Sequence, residues 1–181
     1  MRRSIVGIIA AGVLLTGWLP VHCSGENSPF MPEGATACDV SVYTIDPDPK
    51  GINVRSAPNR NAPVLQIIPH DPDGTIVQLS ASSGDWVHVR TAEGMNSDIP
   101  LEGKGWVYAP LLAVRAGQSS GKKARLFSRP DPGSSVMATI AGESEVRLTG
   151  CSGAWVRVIS GTYKGWLAPG DYCGNPVTTC P

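Results

Sequence analysis

The histidines and cysteines of this 181-residue chain, the residues best suited to base, nucleophilic or metal chemistry, are few enough to weigh singly: His22, His70, His88 and five cysteines. A general base needs a nucleophile or an orienting acid in hydrogen-bond reach, and a Cys/His hydrolase also needs a free reactive thiol. His88 follows Trp86 by two positions in a strand-like run, which reads as a packed imidazole rather than a base. Downstream of Cys23 an even set of cysteines remains, Cys38, Cys151, Cys173 and Cys180, in a chain with 21 Gly and 16 Pro. In an exported protein that pattern reads as disulfides, and three pairings are open. No C-x-x-C occurs, so a thiolate metal site is not indicated. Asp46-Pro-Asp-Pro-Lys-Gly51, Asp71-Pro-Asp-Gly74 and Asp131-Pro-Gly133 gather carboxylates that Ca²⁺ could use. None has the Asp-x-Asp-x-Asp-Gly spacing with a distal Glu, and Asp-Pro and Asp-Gly are ordinary turn formers. The expectation is no catalytic residue, no metal and no cofactor: a chain that is not an enzyme.

The N-terminus carries Arg2 and Arg3, an apolar run over residues 5–15, then Trp18-Leu-Pro20. A basic start, a short apolar stretch and a polar break make a secretory signal peptide, here residues 1–25, too short to be a stable membrane span. A lipid anchor at Cys23 is the rival, and His22 just before it argues against lipoprotein processing. The reading places the mature chain in the periplasm or outside the cell. Without residues 1–23, Lys+Arg falls from 15 to 13 against 15 Asp+Glu, a net charge of −2. With the basic residues scattered, and Lys122-Lys-Ala-Arg125 a solvated turn, nucleic acid is excluded as a partner.

Beyond a leader at 26–38 that lacks apolar periodicity, the chain breaks into short runs rich in Val, Ile, Trp and Tyr. Examples are Val40-Ser-Val-Tyr43, Ile52-Asn-Val54, Thr75-Ile-Val-Gln-Leu79 and Trp86-Val-His-Val89, each bounded by turn residues. These are strand signals, and no helical period is sustained after the signal segment, so the fold class is all-β. The runs also recur. Asn53-Val-Arg-Ser-Ala-Pro58 aligns with Arg125-Leu-Phe-Ser-Arg-Pro130 at an offset of 72, as does Val64-Leu-Gln-Ile-Ile68 with Val136-Met-Ala-Thr-Ile140. Ser83-Gly-Asp-Trp-Val-His-Val89 aligns with Ser152-Gly-Ala-Trp-Val-Arg-Val158 at 69, and Lys104-Gly-Trp-Val107 with Lys164-Gly-Trp-Leu167 at 60. The shrinking offsets place insertions between strands, where length is tolerated. Strand alternation puts Val87 and Val89 on one face and Trp86 and His88 on the other. Trp86, Trp106, Trp155 and Trp166, the largest apolar groups, are expected to fill much of the core.

At Ile52-Asn-Val-Arg-Ser-Ala-Pro58, Gly84-Asp-Trp-Val-His-Val89 and Gly105-Trp-Val107 the chain resembles the bacterial SH3-like (SH3b) family. The second copy replaces Asn-Val-Arg by Arg125-Leu-Phe127 but keeps the later tryptophan motifs in order. The resemblance implies two tandem small SH3-like β-barrels after a signal peptide. The first is placed at 39–115, a linker at 116–121, the second, divergent barrel at 122–173 and a tail at 174–181. It further implies a binding protein for cell-wall peptide or glycan (peptidoglycan) or extended peptides, with docking onto another exported protein or enzyme as the alternative. The expected ligand surface is an aromatic groove: Tyr43, Trp106 and Tyr108, with the motif's Arg55, in the first copy, and Phe127, Tyr163 and Tyr172 in the second. The altered motif makes a shared ligand for both copies doubtful.

Overall fold

Alternating valines set the local structure. Val40 and Val42, Val77 and Leu79, Val87 and Val89, and Val156 and Val158 are all buried, every second residue along its strand. The computed structural model describes residues 31–94, 98–99, 104–117 and 121–177. The expected signal peptide, Cys23, the leader as far as residue 30 and Cys180 lie outside the described residues. Fourteen strands follow in order among the described residues. The first copy holds β1 (Thr36–Thr44), β2 (Ile52–Arg55), β3 (Val64–Ile68), β4 (Ile76–Ser83), β5 (Trp86–Glu93), β6 (Asp98–Ile99) and β7 (Gly105–Tyr108). A 3-10 turn, Ala109–Leu111, leads into β8 (Leu112–Ala116). The second copy adds β9 (Ala124–Phe127), β10 (Val136–Ile140), β11 (Ser144–Ser152), β12 (Trp155–Ser160), β13 (Tyr163–Leu167) and β14 (Tyr172–Cys173). No helix among the described residues is long and apolar enough to cross a membrane.

All strands join one antiparallel sheet in the order β10-β9-β13-β12-β11-β8-β1-β4-β5-β7-β2-β3, with β14 beside β8 and β6 beside β5. β8 belongs to both copies. It closes the first by pairing Ala113 with Tyr43 and Leu112 with Thr44 of β1. It opens the second by pairing Val114 with Val146 and Arg115 with Glu145 of β11. The repeat offsets account for this register. Shifting Val42↔Val77 of β1 and β4 by 72 and 69 gives Val114↔Val146, and the same shift takes Tyr43↔Ile76 to Arg115↔Glu145. Shifting Leu112↔Thr44 by 60 and 72 gives Tyr172↔Ala116, the pairing of β14 with β8. The expected linker therefore begins inside the structure: Ala116 is a buried strand residue, and Gly117 donates its N–H to Asp171 O at 2.9 Å.

The glycines of the repeated motifs have two separate uses. Gly84 and Gly153 adopt φ of +60° and +55° in the turns before β5 and β12, a conformation that side chains disfavour. Gly105 and Gly165 instead permit close approach. A Cβ at Gly105 would lie 2.6 Å from Val54 Cγ1 and 2.8 Å from Arg55 O, and one at Gly165 would lie 2.7 Å from Phe127 O and 2.8 Å from Leu126 Cγ. In both copies the Gly-Trp motif marks the crossing of the motif strand over its neighbour.

The core runs through both copies as one cluster of Val, Leu, Ile and Ala side chains, with Val54, Leu79, Val107, Leu112, Leu126, Leu148 and Leu167 among its members. This corrects the expected tryptophan core. Trp106 is buried, but Trp86, Trp155 and Trp166 are half-buried on the outer face. The cause is strand alternation: with Val87 and Val156 turned inward, the preceding tryptophans must turn out.

Covalent and hydrogen bonds join the first half of β1 to the second copy. Cys38 is disulfide-bonded to Cys151 across 113 residues, Asp39 N donates to Gly153 O at 2.8 Å, and Gly153 N donates to Ala37 O at 2.9 Å. Cys173 is also disulfide-bonded. Closing so long a loop restricts the unfolded chain strongly, so replacing both Cys38 and Cys151 by Ala is expected to lower the unfolding free energy by about 2–5 kcal/mol in urea titrations.

Candidate functional site

β5 and β7 pair Trp86 with Tyr108 and His88 with Trp106, all four side chains on one outer face. Cross-strand neighbours on a face stack, and both pairs do: Trp86 and Tyr108 at 5.6 Å between ring centroids, His88 and Trp106 at 5.1 Å, edge to face. The ladder has a covered end and an open end. His88 and Trp106 are buried, whereas Tyr108 is exposed and Trp86 half-buried.

The open end floors a cleft of about 720 Å³. Its walls are Asn53, Arg55 and Pro58 from the Asn-Val-Arg-Ser-x-Pro motif, Asp46 and Asp48 from the loop between β1 and β2, and Asp85 from the turn before Trp86. That loop is stiffened by its own carboxylates, since Asp46 Oδ1 accepts from Asp48 N at 3.1 Å and Asp48 Oδ1 from Lys50 N at 2.9 Å. Arg55 is held by donating Nη1 to Ala62 O at 2.8 Å. The cleft thus offers two ring faces, fixed polar groups and charges of both signs.

Of the residues expected to form the groove, Arg55 and Tyr108 line this cleft and the others do not. Tyr43 is buried between the copies, where its hydroxyl donates to Glu145 Oε2 at 3.2 Å. Burial first, then the Glu145 carboxylate, holds that phenol well above its ordinary pKa. Trp106 is the covered end of the ladder. Tyr172 is half-buried, donates to Ala154 O at 2.9 Å, and is pushed up to about 12 by burial and then by Asp39. Tyr163 is exposed. Asn53, Pro58 and Trp86, like the aspartates of the walls, are cleft residues that the groove expectation lacked, although alternation with Val87 and Val89 already turned Trp86 outward.

The second copy keeps the ladder's covered end and has lost its open one. Arg157 takes the position of His88, its guanidinium 5.8 Å from the Trp166 ring centroid, and Thr149 takes that of Ser80. At the open end Ala168 replaces Tyr108, and Phe127 replaces Arg55. Phe127 is buried with its ring 5.5 Å from that of Trp155, edge to face, so in this copy the aromatic partner of the tryptophan comes from the motif strand. The departure from Asn-Val-Arg that the sequence displays thus puts a buried ring at the position of the cleft-lining Arg55.

Among the described residues a nucleophile and a base approach at His88: Ser80 Oγ lies 2.8 Å from His88 Nδ1. The imidazole is buried against Trp106 and is not a cleft residue, and the equivalent Thr149–Arg157 pair, Nε to Oγ1 at 3.2 Å, contains no base. His70 is exposed, with Nδ1 3.0 Å from Asp46 O. Among the described residues no group of three or more His, Cys, Asp or Glu side chains could hold a metal ion. Burial, and then the Lys104 charge, lower the His88 pKa from 6.5. A lowered folded pKa means that the unfolded chain binds the proton more tightly, so this stability is present above pH 6.5 and lost as pH falls through the folded value. Tm measured from pH 7.5 to 5 is expected to fall less for His88→Gln than for the unaltered chain.

Comparison with known proteins agrees with this geometry. Residues 48–113 match one model of the bacterial SH3 domain and residues 122–172 match another. No curated protein matches the chain. Among solved structures, NlpC1 from Trichomonas vaginalis is similar at 12% identity and a TM-score of 0.32, over 75% of this chain and 46% of that one. NlpC2 from the same organism is similar at 12% identity and 0.31, over 75% and 48%. The chain thus spans about half the length of these structures. The two matched segments, the duplicated strand register and the repeated Gly-Trp crossings together make this a bacterial SH3 domain protein with two tandem copies, the second divergent.

Proposed function

We propose that this chain is an exported, non-catalytic binding protein whose first-copy cleft holds the peptide or glycan of the cell wall. The observation that carries the reading is that the motif residues Asn53, Arg55 and Pro58 stand around the Trp86–Tyr108 pair in one cleft of about 720 Å³. That size falls in the range of roughly 300–1,000 Å³ typical of small-ligand sites. Flat rings bordered by fixed hydrogen-bonding groups suit a peptide or sugar chain, whose apolar faces stack while its polar edges are satisfied. Export is supported by the disulfide between Cys38 and Cys151, a bond that persists in oxidising compartments. The absence of catalysis is supported by the place of His88, at the covered end of the ladder instead of in the cleft.

The test is retention of the full chain on purified peptidoglycan. The unaltered protein is expected to bind, and Trp86→Ala to weaken binding by about tenfold or more, as truncation of a central aromatic anchor does. Tyr163→Ala, on the exposed end of β13, should stay within about twofold, since isolated surface side chains contribute little. Absence of retention by the unaltered chain, with a stoichiometric exported protein copurifying instead, would replace wall binding by docking.

A further inference from the structure

The turn that presents Trp86 is held from the other copy. Gly84 and Asp85 join β4 to β5, both are exposed, and a Cβ on Gly84 would meet nothing within 4 Å. Arg157 of β12 reaches this turn. Its Nη2 donates to Gly84 O at 3.1 Å and to Thr149 O at 2.8 Å, while its Nε donates to Thr149 Oγ1 at 3.2 Å. The guanidinium also lies over Trp166, so two neighbouring strands of the second copy, β11 and β13, fix it before it extends to the first. Beside it, Lys164 Nζ lies 3.7 Å from Asp85 Oδ1. From below, Ser82 Oγ donates to Cys151 O at 2.8 Å, next to the interdomain disulfide. Thus Ser82, Gly84 and Asp85, the residues leading into Trp86, each have a partner in the second copy.

Repeat equivalence explains why only one copy provides such a hold. The residue equivalent to Arg157 is His88, whose short ring ends on Ser80 and Trp106. An arginine at that position has the length and the fork of donors to satisfy its own copy and still reach a carbonyl of the neighbour. Of the two cationic tethers, the exposed Lys164–Asp85 pair is screened by water, whereas Arg157 makes charge-assisted hydrogen bonds from an oriented guanidinium, so Arg157 carries more of the restraint.

We propose that the second copy serves as the positioning element of the first copy's cleft, Arg157 setting the Gly84–Asp85 turn and with it the placement of Asp85 and Trp86. The ligand part of this proposal rests on the wall-binding reading; the restraint itself does not. The divergence of the second motif fits the assignment, because a copy that has lost Asn-Val-Arg still supplies the anchor.

Two measurements on the full chain separate the claims. Amide hydrogen exchange at Trp86 and at Ala109, whose N–H donates to Asp85 O at 2.9 Å, should speed by about tenfold in Arg157→Gln, with amides of β9 and β10 unchanged, since loss of a restraint shows as local opening. Arg157→Lys, which keeps the charge but not the fork, should give a smaller rise and guards against a Gln variant that fails to fold. Unchanged exchange in both variants overturns the proposal. On peptidoglycan, Arg157→Gln should weaken retention several-fold in the unaltered background and have no further effect in Trp86→Ala, because both act through one site. Independent, additive losses would overturn the positioning role. If the unaltered chain is not retained at all, the wall-binding reading fails while the exchange experiment still decides the restraint.

Discussion

One strand has to satisfy two barrels. Leu112–Ala116 lends one edge to β11 and divides the other between β1 and β14, so neither copy has a complete sheet without it. A strand with unpaired N–H and C=O groups is costly to bury, and sharing β8 removes an edge from each copy at once. The single core cluster follows from this, since Val114 and Leu112 pack with side chains of both copies. So does the placement of Tyr43 and Glu145, which meet where β1 and β11 flank the shared strand.

The shared strand also fixes the relation of the two aromatic ladders, which the disulfide and Arg157 then reinforce. Duplication gave each copy a tryptophan with a cross-strand partner, but the partners diverged. In the first copy Tyr108 stays open beside Trp86. In the second, Phe127 is buried against Trp155, and burial of a Phe next to a half-buried Trp removes apolar surface from water, a gain of roughly 1.5–3 kcal/mol for the Phe alone. The second copy packs a ring where the first has Arg55, and its contacts to the Gly84–Asp85 turn connect that packing to the cleft of the first.

Much of this could be read from the chain itself, for physical reasons that vary by residue. The alternation that buries Val87 and Val89 is local, and so is the motif spacing; both fold class and repeat register rest on them. The same alternation placed Trp86 outside, against the expectation that a large apolar ring must be core. What sequence did not disclose was non-local. Leu112–Ala116 closes one copy and opens the next only because of pairings far along the chain, and the Ser/Gly stretch after it reads as a linker. Tyr43 looked like a groove residue because an aromatic on a first strand has a free face until a second copy covers it. The cysteine pairing was open for the same reason, with Cys38 and Cys151 separated by 113 residues.

A shared strand makes the two copies one cooperative structure. Urea unfolding of the full chain with its disulfides intact, followed both by tryptophan fluorescence and by far-ultraviolet circular dichroism, tests this most directly. Coincident single transitions are expected, because β8 cannot leave one copy without opening the other. Two separated transitions, or one copy unfolding while the other keeps its strands, would contradict it.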